Sequence, residues 1–216
     1  MMINFKVSTP VIFDAMMLIT SCENNIIDEW VSYFEKALIH KEVFEELKTE
    51  AVKNKVQSLV NNGAFEIVDD DYQVTLKDSA SITLYQSCDR ELQSRLDVNK
   101  GRDHGEYKTL LYAKFKDVSI FSTQEVAVWN LYTQSKNFKD IEFLTFQDLA
   151  FLMIRNGGVK EIRKIGKAIY KKVTNLGNYP LQDFLQFADS LNPMIIPPPQ
   201  EFIPSFIKFK INQDSQ

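Results

Sequence analysis

The sequence predicts a three-layer α/β/α fold around a mostly parallel sheet. Through residue 173, short apolar runs alternate with stretches of helical periodicity, the order that a parallel sheet with helices on both faces requires. The runs at 10–14, 118–122 and 141–146 are dominated by apolar residues instead of alternating with polar ones, as burial on both faces demands. The chain has 216 residues, 44% of them hydrophobic and 25% charged, which suits one generous domain or a domain with an extension.

Residues 10–14 read as the first strand. A loop is expected next, then a helix over 25–37 with Ile26, Ile27, Trp30, Val31 and Phe34 at helical spacing. Leu38-Ile39 reads as a short extended step entering a second helix. That helix is expected to continue to Asn62-Gly63, a usual helix ending. "AFEIVDDD" is a strand running into an acidic turn. Residues 78–96 are helical, "NKGRDHG" breaks the pattern, and "EYKTLLYAKF" resumes it. "VSIFST" and "IEFLTF" are strands, each followed by a helix, and 159–173 is a further amphipathic helix. These elements define a domain over 1–175. Residues 176–216 form a C-terminal extension, one helix and then a Pro-punctuated extended tail. No repeat or low-complexity tract appears.

Net charge is −4 and the pI about 5.3, which argues against a globally basic nucleic-acid binder. No apolar run reaches membrane-span length, and the N-terminus has no secretory h-region, so a cytoplasmic protein without membrane contact is expected. Cys22 and Cys88 lie far apart with no CxxC, and read as reduced core thiols. With only His40 and His104 as histidines, Cys/His zinc sites are excluded.

One acid interrupts the first apolar run. Burying an isolated carboxylate costs several kcal/mol or more, so Asp14 needs a partner or an opening. In parallel α/β sheets ligands bind beyond the carboxyl ends of the strands, and Asp14 stands at such an end. Haloacid-dehalogenase-type phosphatases need a second Asp two residues on, where this chain has Met16. Receiver domains need an acidic pair that is missing. Dinucleotide and P-loop sites need glycines after the first strand, and "DAMMLITS" has none.

The arrangement resembles a PIN domain, a metal-dependent nuclease fold found in many bacterial toxins. The hydrophobic-hydrophobic-Asp opening places Asp14 as the first acid. "KEVFEEL" resembles the second motif, V-x-x-E-L, through Val43, Glu46 and Leu47, with Glu45 the adjacent alternative. "GEYKTLLYA" resembles the third, G-E-x-x-x-[IL]-x-x-A, through Gly105, Glu106, Leu110 and Ala113. The resemblance covers roughly residues 9–160. It implies that Asp14, Glu46 and Glu106 carry catalysis and ligate Mg²⁺ or Mn²⁺, and that the chain hydrolyses phosphodiester bonds, of RNA before DNA. A toxin or mobile-element setting follows from the same likeness, with a protein inhibitor or antitoxin as partner.

Physical chemistry supports the grouping, since clustered carboxylates repel unless a cation sits among them, and all-oxygen ligation selects Mg²⁺ or Mn²⁺ over zinc. The family's further acid is absent: Ser122, Thr123 and Gln124 stand in its place. A Ser122 or Thr123 hydroxyl, or Glu125 from the next helix, would have to complete the metal shell. Asp103 could compensate in part, and His104 could touch a phosphate. The alternative is a PIN-like binding module with weakened or lost catalysis.

In 159–173, Lys160, Arg163, Lys164, Lys167 and Lys171 share one helix face, a stripe able to neutralise nucleic-acid phosphates. The tail "IIPPPQEFIPSFIKFKI" could dock on its own domain, pair with a second subunit as a homodimer, or bind an inhibitor.

Overall fold

Val11–Phe13 form β1, and every later strand is laid parallel to it. The structure, a computed structural model, describes residues 7–98, 102–123 and 134–145, with Val128 and Leu149. After β1 come α1 (Ala15–Glu23), α2 (Ile27–Ser32), β2 (Ala37–His40), α3 (Lys41–Glu45), α4 (Glu50–Asn61) and β3 (Glu66–Val68). A 3₁₀ turn at Asp70–Thr75, α5 (Ser79–Arg95), α6 (His104–Phe115), β4 (Ile120–Ser122) and β5 (Glu142–Leu144) complete the set.

The five strands order as β3-β2-β1-β4-β5, all parallel. The chain builds outward from β1 to β3, then returns to the other side of β1 for β4 and β5. That reversal puts a topological switch point between β1 and β4, where a crevice opens at the carboxyl ends of the strands.

Alternation along each strand feeds two cores. Val11, Phe13 and Ile39 pack on one face with Met17 and Leu18 of α1 and Val52, Val56 and Leu59 of α4. Ile12, Leu38, Phe121 and Phe143 pack on the other with Leu92 of α5 and Leu110 and Leu111 of α6. These are the three layers the apolar strands implied. Each fully buried large side chain contributes about 1.5–3 kcal/mol by leaving water. Phe121 is fully buried in the second core, so Phe121→Ala should cost about 3–5 kcal/mol.

Two local expectations need correction. The loop expected after Asp14 is helix α1, and the helix expected over 25–37 is the six-residue α2. The run "AMMLIT" is apolar on nearly every side, which hides its periodicity. What starts the helix is Asp14, whose Oδ1 accepts the Met17 N–H at 2.7 Å, an N-cap bond. The single helix expected from about 40 to 63 is two, α3 and α4, separated by Glu46–Thr49. Gly63 ends α4's segment with φ of +78°, a left-handed conformation that glycine adopts without strain.

The remaining described elements fall where the periodicity put them. The basic stripe Lys160, Arg163, Lys164, Lys167 and Lys171, the domain boundary near 175 and the extension 176–216 lie outside the described residues, as does Glu125. Among the described residues, no helix is long and apolar enough to cross a membrane. Cys22 and Cys88 are free thiols, each pushed up to about 11 by burial.

Candidate functional site

The register of the sheet determines which residues meet at its carboxyl edge. Phe13 pairs with Ile39 and with Ser122, and Ser122 pairs with Leu144. One step further on, His40, Asp14, Thr123 and Thr145 stand in one row, on strands about 4.8 Å apart. The ladder extends to that row: the Asp14 N–H donates to the Ser122 carbonyl at 3.1 Å, and the Thr123 N–H to the Leu144 carbonyl at 3.1 Å. All four residues are buried. Below them lies apolar core, so this row is where the sheet turns polar.

Asp14 is fully buried, and its backbone and Oδ1 are engaged by β4 and by the first turn of α1. The acid is therefore held rigidly, with one oxygen committed to Met17. It belongs to the same strand face as Ile12, the face covered by α6.

Glu106 comes from the first turn of α6 and is partly buried. Burial first, then the nearby Asp14 carboxylate, push its carboxyl up to about 8, with Glu46 and Asp103 adding to the rise. The helix N-terminus favours an anion there, but less strongly than burial and repulsion disfavour it.

Glu46 ends α3 and leans across to α6. Its Oε1 accepts the Gly105 N–H at 2.9 Å. Burial raises its carboxyl above the ordinary value, and the Gly105 bond and His104 oppose that rise. Glu45, the adjacent alternative, is exposed and faces Lys41 at 3.8 Å, so packing selects Glu46 as the inward acid.

The three acids expected from separate motifs thus share one electrostatic neighbourhood at the switch point. Among the described residues, neither Glu46 nor Glu106 pairs with a lysine or arginine. Hard, negative, partly buried oxygens are donors suited to Mg²⁺ or Mn²⁺. Among the described residues, however, no three acids, histidines or cysteines converge tightly enough to hold one ion between them. Mg²⁺ commonly binds through one or two carboxylates plus waters and substrate phosphates, so the pair Asp14 and Glu106 meets that requirement in donor chemistry.

The neutral residues behave differently from one another. Thr123 shares the Asp14 row and, by alternation, its face. Ser122 lies on the opposite face and donates its hydroxyl to the Leu144 carbonyl at 3.2 Å. Asp103 is not a direct substitute for the missing acid: its Oδ2 closes the preceding loop by accepting the Asp97 N–H at 3.0 Å. His104 stacks on Tyr107 and lies 4.0 Å from Glu42.

Sequence reading did not single out His40 or Asp70. His40 Nδ1 accepts the Glu42 N–H at 3.2 Å, so in the neutral ring the proton sits on Nε2, which lies 3.3 Å from Asp70 Oδ1. Lys108 of α6 donates to the other Asp70 oxygen. His40, Lys41, Glu42 and Asp69–Asp71 line a cleft beside the acids. The only signal for this corner was register: His40 follows Leu38-Ile39 as Asp14 follows Ile12-Phe13.

No family model, no curated protein and no solved structure matches the chain.

Proposed function

We propose that the chain is a PIN-like nuclease, dependent on Mg²⁺ or Mn²⁺, that hydrolyses phosphodiester bonds of RNA. The observation that carries this reading is the acid neighbourhood at the β1–β4 switch point. A buried Asp14 and a partly buried Glu106 raise each other's cost, and no lysine or arginine pairs with Glu106 among the described residues. Carboxyls shifted this far by burial and a like charge cluster at functional sites, and a divalent cation would offset this pair.

In this reading Asp14 and Glu106 hold the ion, with Glu46 contributing charge from its seat on α6. A bound divalent ion would supply a water activated at neutral pH and charge to offset the scissile phosphate. The residues supply the rest. Asp14 is fixed by its cap bond to Met17, and Glu106 gives up its proton when a cation arrives. RNA as substrate, a toxin-like setting and a protein inhibitor rest on the family resemblance. A cytoplasmic setting is part of the same reading, supported by the two free thiols.

The test is cleavage of single-stranded RNA and DNA by the full chain, with Mn²⁺, with Mg²⁺ and with chelator. Metal-dependent RNA cleavage is expected, falling at least about a hundredfold in Asp14→Asn, since that change removes a ligand charge while Asn can still cap α1. Absence of cleavage under every condition would favour the second reading, a nucleic-acid- or protein-binding module. The neutral Ser122-Thr123 step is the observation on that side.

A further inference from the structure

We infer that Gly105 is a positioning residue for the acid site: its missing side chain is the seat of the Glu46 carboxylate. The inference rests on the reading above for what the site holds, and on geometry for how it is built.

Helix α6 begins without a cap of its own. Asp103, its N-cap residue, adopts φ of +52° and makes no side-chain cap bond. The orphan N–H groups of the first turn need an acceptor. One comes from another helix, as Glu46 Oε1 receives the Gly105 N–H at 2.9 Å.

That bond requires the carboxylate to lie almost on the α6 backbone. A Cβ at residue 105 would fall 2.8 Å from Glu46 Oε2, 3.0 Å from its Cδ and 3.0 Å from Oε1. The glycine is not needed for its backbone angle, because positive φ occurs at Gly63 and not here. It is needed for space. All three of the nearest atoms are the end of one flexible side chain, so an alanine would move Glu46 and leave the core alone.

Gly105 therefore acts through Glu46. It holds that carboxylate next to Glu106, one residue further along α6, and so sets the charge that the cation neighbourhood presents. In a helix lacking this contact, glycine would be the poorer choice, since alanine loses less conformational freedom on folding.

The experiment is a four-member cycle of the full chain: wild type, Gly105→Ala, Glu46→Ala and the double variant. Each is melted in chelator and then titrated with Mn²⁺. In the Glu46→Ala background, Gly105→Ala is expected to raise the melting temperature by about 2–4 °C. In the wild type that gain should be absent or reversed, because the α6 cap is displaced. The same gain in both backgrounds would overturn the inference.

For Mn²⁺, Gly105→Ala should weaken binding as much as Glu46→Ala does, and adding it to Glu46→Ala should change nothing further. Equal and independent losses that multiply would overturn it too. Failure of the wild type to bind Mn²⁺ would defeat the proposed function alone, since the chelator melts read the Gly105–Glu46 contact without metal.

Discussion

Two polar corners stand side by side on the carboxyl edge of the sheet, each with buried or half-buried carboxylates. At the β2–β3 end, Asp70 receives Lys108 and lies 3.3 Å from His40, while Asp71 receives Lys116 at 2.9 Å. At the β1–β4 end, Glu46 and Glu106 join Asp14 with no lysine or arginine on either glutamate among the described residues. Among the described residues, each aspartate of the first corner pairs with a lysine, and the two glutamates of the second pair with none. Both corners are bordered by α6, which sends Lys108 to one and Glu106 to the other. The difference teaches how to separate a structural charge cluster from a candidate site: in the structural one, the chain supplies both signs.

Removing a charge should therefore have opposite signs in the two corners. In the closed corner, Lys108→Met leaves Asp70 without its cation and should destabilise the protein by about 1–3 kcal/mol, measured by denaturant unfolding. In the open corner, Glu106→Gln removes a repelled carboxyl and should leave the metal-free protein as stable as wild type or more so at pH 8. Destabilisation by both variants would erase the distinction.

The pH dependence sharpens the contrast. The Glu106 carboxyl is raised to about 8 in the folded chain. Between its unfolded value near 4.5 and 8, the folded state keeps a proton that the unfolded state has lost, so this group makes stability fall as pH rises through that window. His40 is shifted down, chiefly by burial, with Asp70 opposing the shift. Below about 6.5 the unfolded chain takes up the His40 proton first, so this group makes stability fall as pH drops. Metal-free melting curves across pH 5–9 should show both limbs. Glu106→Gln should flatten the alkaline one, and His40→Gln, the smaller effect, the acid one.

Much of this edge was legible before any coordinates. An acid inside "VIFDAMML" marks a strand end, because a buried carboxylate needs a partner or an opening there. "EYKTLLYAKF" reads as a helix with Glu106 at its start, two residues past where α6 begins. Other features depended on contacts that a linear reading does not contain. The motif likeness puts Glu46 ahead of Glu45, but the contact that turns Glu46 inward, with the Gly105 N–H of α6, is long-range. The closed corner joins Asp70 to Lys108, 38 residues apart, and no local pattern announces that pair. Helix α1 is hidden in the sequence because an all-round apolar stretch has no periodic face; its one local signal is the cap residue Asp14. Gly105 was visible as a motif position, yet its purpose depends on where the Glu46 carboxylate comes to rest.

The central claim is that the open corner draws its counterion from solution. It is tested most directly by melting the wild type and Asp14→Asn, each with and without millimolar Mn²⁺. Binding to the folded state alone raises stability by RT ln(1 + [L]/Kd), about 2.7 kcal/mol at a hundredfold excess over Kd. The account predicts a Mn²⁺-induced rise in the melting temperature of the wild type, lost in Asp14→Asn, whose metal-free melting stays close to that of the wild type. A wild-type melting temperature that does not respond to Mn²⁺, or an equal response in both proteins, would contradict it.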